Sequence, residues 1–219
     1  MHIPRFLPLS FGVLLAVALP GFASAPIGEW DPAQGMVNGV KVVVPDAVGK
    51  LNLEGGEDTA TTLERSESVP GGAAIVFAGT QTKPMRTVAG GKITIGSGTT
   101  LEMAICPDAS AGDMTILVMP GFELRYSGAK QQLSTIVYYD VDQNTANYAH
   151  ADLPAKAGGW SNVKVSISST ELVCEVAGET GRKQLVQPVK ILPAALVLGI
   201  KGDSRPYKGK VGKITISQE

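Results

Sequence analysis

Apolar and polar residues alternate one by one along most of this chain, and glycine, proline, asparagine or aspartate interrupts the alternation at short intervals. A period of two residues is typical of β-strands with one buried face, and no segment has the spacing of an amphipathic helix. The pattern therefore predicts an all-β protein. The predicted strands are 40–44, 73–77, 92–95, 99–105, 114–119, 122–126, 133–139, 163–168, 171–176, 196–198 and 210–217.

The number of predicted strands indicates two packed antiparallel sheets, because a single sheet of that width would leave one face uncovered. The alternation also assigns faces to side chains. Val163 and Val165 are predicted to point into the core, whereas Glu123 and Arg125 point away from it. Long connections, where local function is expected, are predicted at 54–72, 106–113, 140–159 and 177–195.

The first 25 residues are predicted to be a secretory signal peptide. Arg5 precedes an apolar run at 11–19, and the small residues 23–25 form a cleavage site. That run is too short to cross a membrane, and no longer apolar stretch occurs elsewhere. We therefore expect an exported protein, periplasmic or extracellular, with no membrane span and one mature domain at 26–219.

The charge composition argues against nucleic acid as a partner. The chain has 19 Lys and Arg, 20 Asp and Glu, and a formal net charge of −1. No basic stripe of the kind that binds a phosphate backbone is visible.

The two cysteines, Cys106 and Cys174, leave two alternatives open. Export would place them in an oxidising compartment, where a disulfide can form. Cys174, however, alternates with apolar residues and is expected to face the core, where an unpaired thiol behaves as a small apolar group. Sequence alone does not give the Cα separation that would decide between a disulfide and two free thiols.

Six segments of the mature chain form an ordered set of turns and strands. They are Gly-Glu-Trp-Asp at 28–31, the turn at 46–51, the strand Gly-Ala-Ala-Ile-Val-Phe-Ala-Gly at 72–79, Gly-Phe-Glu-Leu at 121–124, Gly-Trp-Ser-Asn-Val at 159–163, and Tyr-Lys-Gly-Lys-Val at 207–211. In this order the segments resemble the bacterial branch of the laminin G-like, concanavalin A-like domain family. The resemblance covers nearly the whole mature chain and implies a two-sheet antiparallel jelly-roll sandwich that binds a ligand.

The resemblance also implies a candidate calcium ligand. Laminin G-like domains often hold calcium at the rim of the sandwich, and Asp46 lies where the family has its turn aspartate. The acidic pair usual in the family is replaced by Gly212 and Lys213, and a lysine repels a cation. A plain turn role for Asp46 is therefore favoured over a structural calcium site, and we expect no other cofactor.

Catalytic motifs known from this fold are missing from the sequence. The Glu-x-Asp-x-x-Glu spacing of the glucanases does not occur. His150, the only histidine of the mature chain, lacks the glutamine that precedes the histidine of the related alginate lyases. We therefore expect no enzymatic activity. Glu102 and Glu123 are the carboxylates whose substitution would test a polysaccharide-cleaving activity if they line a cleft.

Four tyrosines are the candidate ligand-binding residues, because sugars stack on exposed aromatic rings. Tyr138 and Tyr139 are neighbours in one strand, so one of them points outward. Tyr148 and Tyr207 are predicted to lie in loops.

The sequence supports three hypotheses about function. The first is a binding module for a glycan or an extracellular partner. The second is a structural subunit of an envelope or extracellular assembly. The third is a glycoside hydrolase or lyase. Saturable binding to one class of glycan would favour the first, and release of sugar ends would favour the third.

Overall fold

The computed structural model describes residues 24–49, 51–55, 58, 60–88, 92–109, 112–139, 148–189, 193–202 and 204–219. Within these ranges the chain forms seventeen β-strands and one 3-10 turn at Pro32–Gln34. The strands are β1 Ala25–Trp30, β2 Met36–Asn38, β3 Lys41–Val44, β4 Leu53–Gly55, β5 Thr61–Arg65, β6 Ala73–Ala78, β7 Met85–Thr87, β8 Thr99–Pro107, β9 Asp113–Met119, β10 Phe122–Ser127, β11 Gln132–Tyr138, β12 Tyr148–Pro154, β13 Ser161–Ile167, β14 Glu171–Val176, β15 Glu179–Gln184, β16 Val197–Leu198 and β17 Lys208–Gln218.

The strands form two antiparallel sheets. The first has the order β15-β14-β13-β8-β17-β6-β5, and β1 also pairs with β17. The second has the order β12-β11-β10-β9-β16-β7-β4-β3-β2. Neighbours within a sheet come from distant parts of the chain, as in a jelly roll, and the predicted all-β two-sheet sandwich is confirmed.

The interior between the sheets is built from the inward half of each alternating strand. Val163 and Val165 on β13 and Phe122 and Leu124 on β10 are almost completely buried, as the alternation predicts. Burial of apolar surface on this scale is the main stabilising contribution to a sandwich. Trp30 at the end of β1 is also fully buried, and its indole N–H donates to the Leu51 carbonyl at 2.7 Å.

Three strands lie where the sequence pattern predicts loops. β5 falls in the predicted loop 54–72, β12 in 140–159 and β15 in 177–195. Their inward side chains are small or few: Gly181 is the one residue of β15 that is partly buried, and it packs against β12. Conversely, no strand forms at the predicted 92–95, where Ile93 makes an isolated bridge with Ala194.

Residues 1–23 of the predicted signal peptide lie outside the described residues. Ala25 is the first residue of β1 and pairs with Gln218 of β17. No helix in the described part of the chain is long and apolar enough to cross a membrane.

The cysteines are two free, buried thiols. Both belong to the first sheet, but Cys174 faces its interior, whereas Cys106 pairs with Lys210 on the outer face, next to the inward Ile105. The strand register places Cys174 level with Leu101 of β8. Cys106 lies five residues further along β8, at a distance of roughly 17 Å from Leu101. A disulfide requires Cα atoms within about 7 Å, so this fold excludes the pairing.

We predict that thiol titration of the denatured protein finds both cysteines free. In the folded protein both should react slowly, because burial raises the pKa of each thiol and reduces access to it. Ellman's reagent with and without guanidinium measures both properties, and Cys174→Ser serves as the one-thiol control. Absence of free thiols after denaturation without reductant would contradict the fold.

Candidate functional site

The outer face of the second sheet brings a buried carboxylate, cations and aromatic side chains close together. The registers of β12, β11, β10, β9 and β16 place side chains from adjacent strands next to one another on the side away from the core. One such row is His150, Ile136, Glu123, Val118 and Val197.

Glu123 is the centre of this surface. Its side chain points away from the core, as predicted, yet none of it is exposed to solvent. Arg125 donates from Nε and Nη2, and Lys201 donates from Nζ, at 3.2, 3.2 and 2.9 Å. The Arg205 Nη1 atom lies 3.4 Å from Oε1, and the Tyr138 hydroxyl donates to Oε2 at 3.1 Å. We call these five residues the Glu123 cluster.

The electrostatics of the cluster keep Glu123 ionised. Burial on its own would raise the pKa of a carboxyl group, but hydrogen bonds and charge from Arg125 and Lys201 outweigh that effect and lower the pKa to about 2. Burial together with the negative charge of Glu123 raises the pKa of Tyr138. The Tyr138 hydroxyl is therefore a neutral donor, and Glu123 is a permanent negative charge at neutral pH.

The cations at 201 and 205 reach Glu123 because a loop folds across β9. β9 contains a bulge at Ile116, whose carbonyl accepts from the Gly199 N–H at 2.9 Å, while the Thr115 N–H donates to the Arg205 carbonyl at 2.9 Å. Arg205 has φ +55°, a left-handed conformation that is uncommon for a residue with a long side chain. The bulge and this backbone conformation together direct the loop onto the outer face.

The base of the loop is closed by one buried glutamine. The Tyr207 N–H donates to the Gly199 carbonyl at 2.6 Å, and the Gln81 amide donates to the carbonyls of both residues at 2.7 Å. The Gln81 side-chain oxygen in turn accepts from the Gly79 N–H at 3.0 Å. Because Gln81 is almost fully buried, it fixes the loop without competition from water.

Tyr138, Tyr148 and His150 form an aromatic row beside the cluster. The ring centroids are 5.9 Å apart between the two tyrosines and 5.6 Å between Tyr148 and His150. The Lys201 ammonium lies 5.5 Å from the centre of the Tyr138 ring. Tyr148 is 44% exposed, and it is the exposed tyrosine among the residues that the structure describes. It lies in β12, which corrects its predicted loop position.

The other candidate tyrosines are buried. Tyr138 is the outward member of its pair, as expected, but it is only 8% exposed beneath Lys201. Tyr139 points inward, and its hydroxyl accepts from the Val186 N–H at 3.1 Å. Tyr207 is fully buried and packs edge-on against Phe77, with its hydroxyl donating to the Lys210 carbonyl. This burial corrects the expectation of an exposed loop residue.

His150 is a surface residue of a strand rather than of a loop. It is about half exposed, and its Nε2 atom lies 3.4 Å from the Asp152 Oδ2 atom on the same face of β12. The contacts described for His150 include no hydroxyl or thiol nucleophile. They are with Tyr148 and Asp152, which place His150 at the border of the aromatic row.

Asp46 is fixed by backbone donors and does not fit a calcium ion. Its Oδ1 atom accepts from the N–H groups of Glu29 and Val48 at 2.9 and 3.1 Å, and Oδ2 accepts from that of Leu51 at 3.4 Å. The neighbouring Glu29 carboxylate is paired with Lys213 at 2.7 Å. Calcium needs several free oxygen ligands, and no cluster of three metal-ligating side chains occurs among the described residues.

The two carboxylates considered for catalysis lie on opposite faces of the sandwich. Glu102 belongs to β8 and is exposed on the outer face of the first sheet, where it pairs with Lys164 at 3.2 Å. Glu123 lies on the outer face of the second sheet. A glycosidase needs its two carboxyl groups about 5 to 10 Å apart around one bond, so these two residues do not form such a pair.

The outer face of the first sheet carries an open groove of about 610 Å³, lined by Glu102, Asn162, Lys164, Glu175, Lys213 and Thr215 among others. Its lysines are already paired one to one with carboxylates. The described residues that line it include no aromatic side chain. The face with the Glu123 cluster therefore offers the better binding surface.

Sequence reasoning placed Glu123 and Arg125 outside the core but missed Lys201 and Arg205 as members of the same site. These two cations are 78 and 82 positions after Glu123, and they reach it only through the β9 bulge and the loop from 199 to 207. The one signal in the sequence was the pair of cations in the segment Lys-Gly-Asp-Ser-Arg at 201–205.

We predict that Glu123→Gln lowers the free energy of unfolding by about 3 kcal/mol at pH 7, because a lowered folded-state pKa is a stabilising contribution. That contribution is complete above about pH 4.5, the value for the unfolded carboxyl, and is lost as the pH falls towards 2. Urea unfolding at pH 7 and pH 2.5 should therefore show a difference from wild type that shrinks in acid.

Glu102→Gln is the matched control, because it removes an exposed carboxylate whose ion pair contributes under about 1 kcal/mol. A Glu123→Gln difference of equal size at both pH values would contradict the assigned ionisation.

We further predict that Asp46→Ala lowers the free energy of unfolding by about 1–3 kcal/mol, because backbone donors of the turn lose their acceptor. Asp46→Asn keeps one acceptor oxygen and should lose less. The melting temperature of the wild type should be the same with calcium and with a chelator. A calcium-dependent increase that disappears in Asp46→Ala would contradict the turn role.

Comparison with known proteins supports the fold. No family model matches the chain, and no curated protein matches it. The chain is similar to domain 4 of AbnA, a GH43 extracellular arabinanase from Geobacillus stearothermophilus solved with arabinotriose, with a TM-score of 0.58 and 11% identity over 89% of this chain and 93% of that one.

Two further solved structures have related folds. A Trypanosoma rangeli sialidase in complex with the inhibitor DANA matches with a TM-score of 0.56 and 14% identity, over 88% of this chain and 30% of the sialidase. A SAP-like pentraxin from Limulus polyphemus matches with a TM-score of 0.50 and 14% identity, over 65% of this chain and 74% of that one. Such low identities show the fold alone, which is a concanavalin A-like jelly-roll sandwich.

Proposed function

We propose that this chain is a secreted, non-catalytic module of the laminin G type that binds a glycan on the outer face of its second sheet. The observation that carries the proposal is the exposed ring of Tyr148 next to the partly exposed cations of the Glu123 cluster. One side of this surface offers an aromatic platform, and the other offers hydrogen-bond donors. Sugars are bound by this combination of surfaces.

The aromatic platform has defined neighbours. Tyr148 lies between its cross-strand partner Tyr138 and His150, and both neighbouring rings are tilted against it, while 44% of the residue is exposed. A rigid ring loses little conformational entropy when a sugar stacks on it. Tyr138 supports the platform from below and does not itself meet the ligand.

The polar half of the site is also fixed before a ligand arrives. Glu123 orients Arg125 and Lys201 through hydrogen bonds, and strand β10 and the closed loop supply their backbones. A site whose side chains are held by a supporting shell binds with less loss of entropy than a site on free loops.

The absence of catalysis is part of the proposal. Glu123 is held ionised at the centre of three cations, which is unsuitable for a general acid. Glu102 lies on the opposite outer face and is exposed. The arabinotriose complex of the AbnA domain and the inhibitor complex of the sialidase concern those proteins, and they are compatible with a sugar ligand on this scaffold.

A second candidate function is that of an interaction subunit. The edge strand β2 exposes Met36 and Val37 at 56 and 55%, and Val40 in the following turn at 53%. An apolar edge strand with free backbone groups can pair with a strand from a partner protein. The short length of β2 makes this surface a weaker candidate than the site at Tyr148.

We predict that the wild-type domain binds one class of polysaccharide saturably on a glycan array, and that Tyr148→Ala weakens this binding at least roughly tenfold. Isothermal titration with the best array ligand gives the dissociation constant. Reducing ends should not increase in the bound polysaccharide, because the module does not cleave it.

Met36→Ala is the matched control, because it removes an exposed apolar side chain at the opposite edge of the same sheet. Equal weakening in Met36→Ala and Tyr148→Ala would place the site elsewhere. Absence of binding to every glycan on the array would overturn the glycan proposal and favour the interaction subunit.

A further inference from the structure

We propose that the ligand of the site at Tyr148 is negatively charged, and that its carboxylate or sulfate groups bind to Arg125, Lys201 and Arg205. This inference rests on the proposed function and adds the chemical class of the sugar. The charges of the Glu123 cluster, their arrangement and their contrast with six one-to-one ion pairs elsewhere on the described chain support it.

The cluster carries an excess of positive charge. Three cations and one carboxylate give a local formal charge of 3 − 1 = +2, in a chain whose formal net charge is −1. The negative charge is completely covered, whereas the side chains of Arg125, Lys201 and Arg205 are 27, 25 and 29% exposed. Within the cluster, the charges that solvent reaches are therefore those of the three cations.

Six ion pairs elsewhere among the described residues each join one cation to one carboxylate. They are Lys41 with Glu54, Lys164 with Glu102, Arg182 with Glu171, Lys208 with Asp108, Lys210 with Glu64, and Lys213 with Glu29. The convergence of three cations on one carboxylate differs from these six one-to-one pairs. Repulsion among the three cations is unfavourable for folding alone, and an anion would relieve it.

The donors of the cluster suit an anionic group. A guanidinium has five N–H hydrogens and an ammonium has three. Arg125 directs two of them and Lys201 one at Glu123, and Arg205 lies within ion-pair distance of it. Charge-assisted hydrogen bonds to carboxylate or sulfate oxygens are about twice as strong as neutral ones. A neutral sugar would use these donors less well.

The backbone is strained where the third cation enters. Arg205 adopts φ +55° although it is not glycine, and the Gln81 amide fixes the base of the loop that holds it. Residues in such conformations persist where the surrounding structure enforces them, and they concentrate at binding sites. At Arg205 the closed loop enforces this conformation and holds the guanidinium beside Glu123.

Nearby acids limit where the charge of the ligand can lie. Asp113 acts electrostatically on Arg125, and Asp152 pairs with His150 at the outer edge of the aromatic row. Both repel an anion. The charged group of the ligand should therefore lie towards Lys201 and Arg205, with the sugar ring over Tyr148.

The test compares pairs of polymers that share a sugar backbone and differ in the number of anionic groups. Polygalacturonate and its methyl ester vary the carboxylate, and heparin and its desulfated form vary the sulfate. We expect the charged member of at least one pair to bind at least roughly tenfold more tightly than its neutralised or desulfated counterpart. Binding should also weaken as salt is raised, because screening acts on exposed charges.

Charge-removing variants assign the effect to residues. Lys201→Gln and Arg205→Gln should each weaken binding of the charged polymer roughly tenfold, whereas Lys164→Gln and Arg182→Gln, which remove the same charges elsewhere, should not. Thermal unfolding of all four variants shows that they are folded.

The outcomes separate this inference from the proposed function. Binding that depends on Tyr148 but is equally tight for the two members of each polymer pair would overturn the inference of an anionic ligand. It would leave the proposed glycan site unchanged. Failure of both charged polymers to bind would also overturn the inference. Equal weakening by Lys164→Gln and Lys201→Gln would show that net charge, and not this site, attracts the polymer.

Discussion

Face-to-face packing of two sheets determines which side chains of this protein are available for function. Each strand gives alternate residues to a common interior, and the burial of those residues stabilises the fold. Only the outward half can carry a site. On the first sheet that half forms balanced surface ion pairs, while on the second sheet it forms a covered carboxylate with cations and tyrosines around it. The interior thus sets the positions from which the site is built.

Glu123 shows how an outward residue can be buried. A carboxylate without solvent is costly unless charged partners replace its hydration. Here the partners come from its own strand and from a loop that follows β16. The same contacts that stabilise the charge hold Lys201 and Arg205 at the surface. Stability of the cluster and geometry of this outer face are therefore consequences of one set of hydrogen bonds.

Strong alternation was enough to predict the main strands. The inward and outward assignments on β10 and β13 were confirmed because large apolar residues mark the inner face. β12 and β15 were missed because alanine, glycine and polar residues form most of these edge strands, so their alternation is weak. Burial of Tyr207 was missed for another reason: nothing local reveals that Phe77 packs against its ring. The site itself depends on contacts between distant parts of the chain, which no local pattern contains.

The buried amide of Gln81 has a consequence for the kinetics of recognition. It follows β6 of the first sheet, and it bonds to the two ends of the loop that lies over the second sheet, so it joins the layers at this rim. The loop cannot swing without breaking bonds that are shielded from water. A ligand would therefore bind to a surface that is already formed. Its association rate would be governed by diffusion and orientation instead of by a slow closing motion.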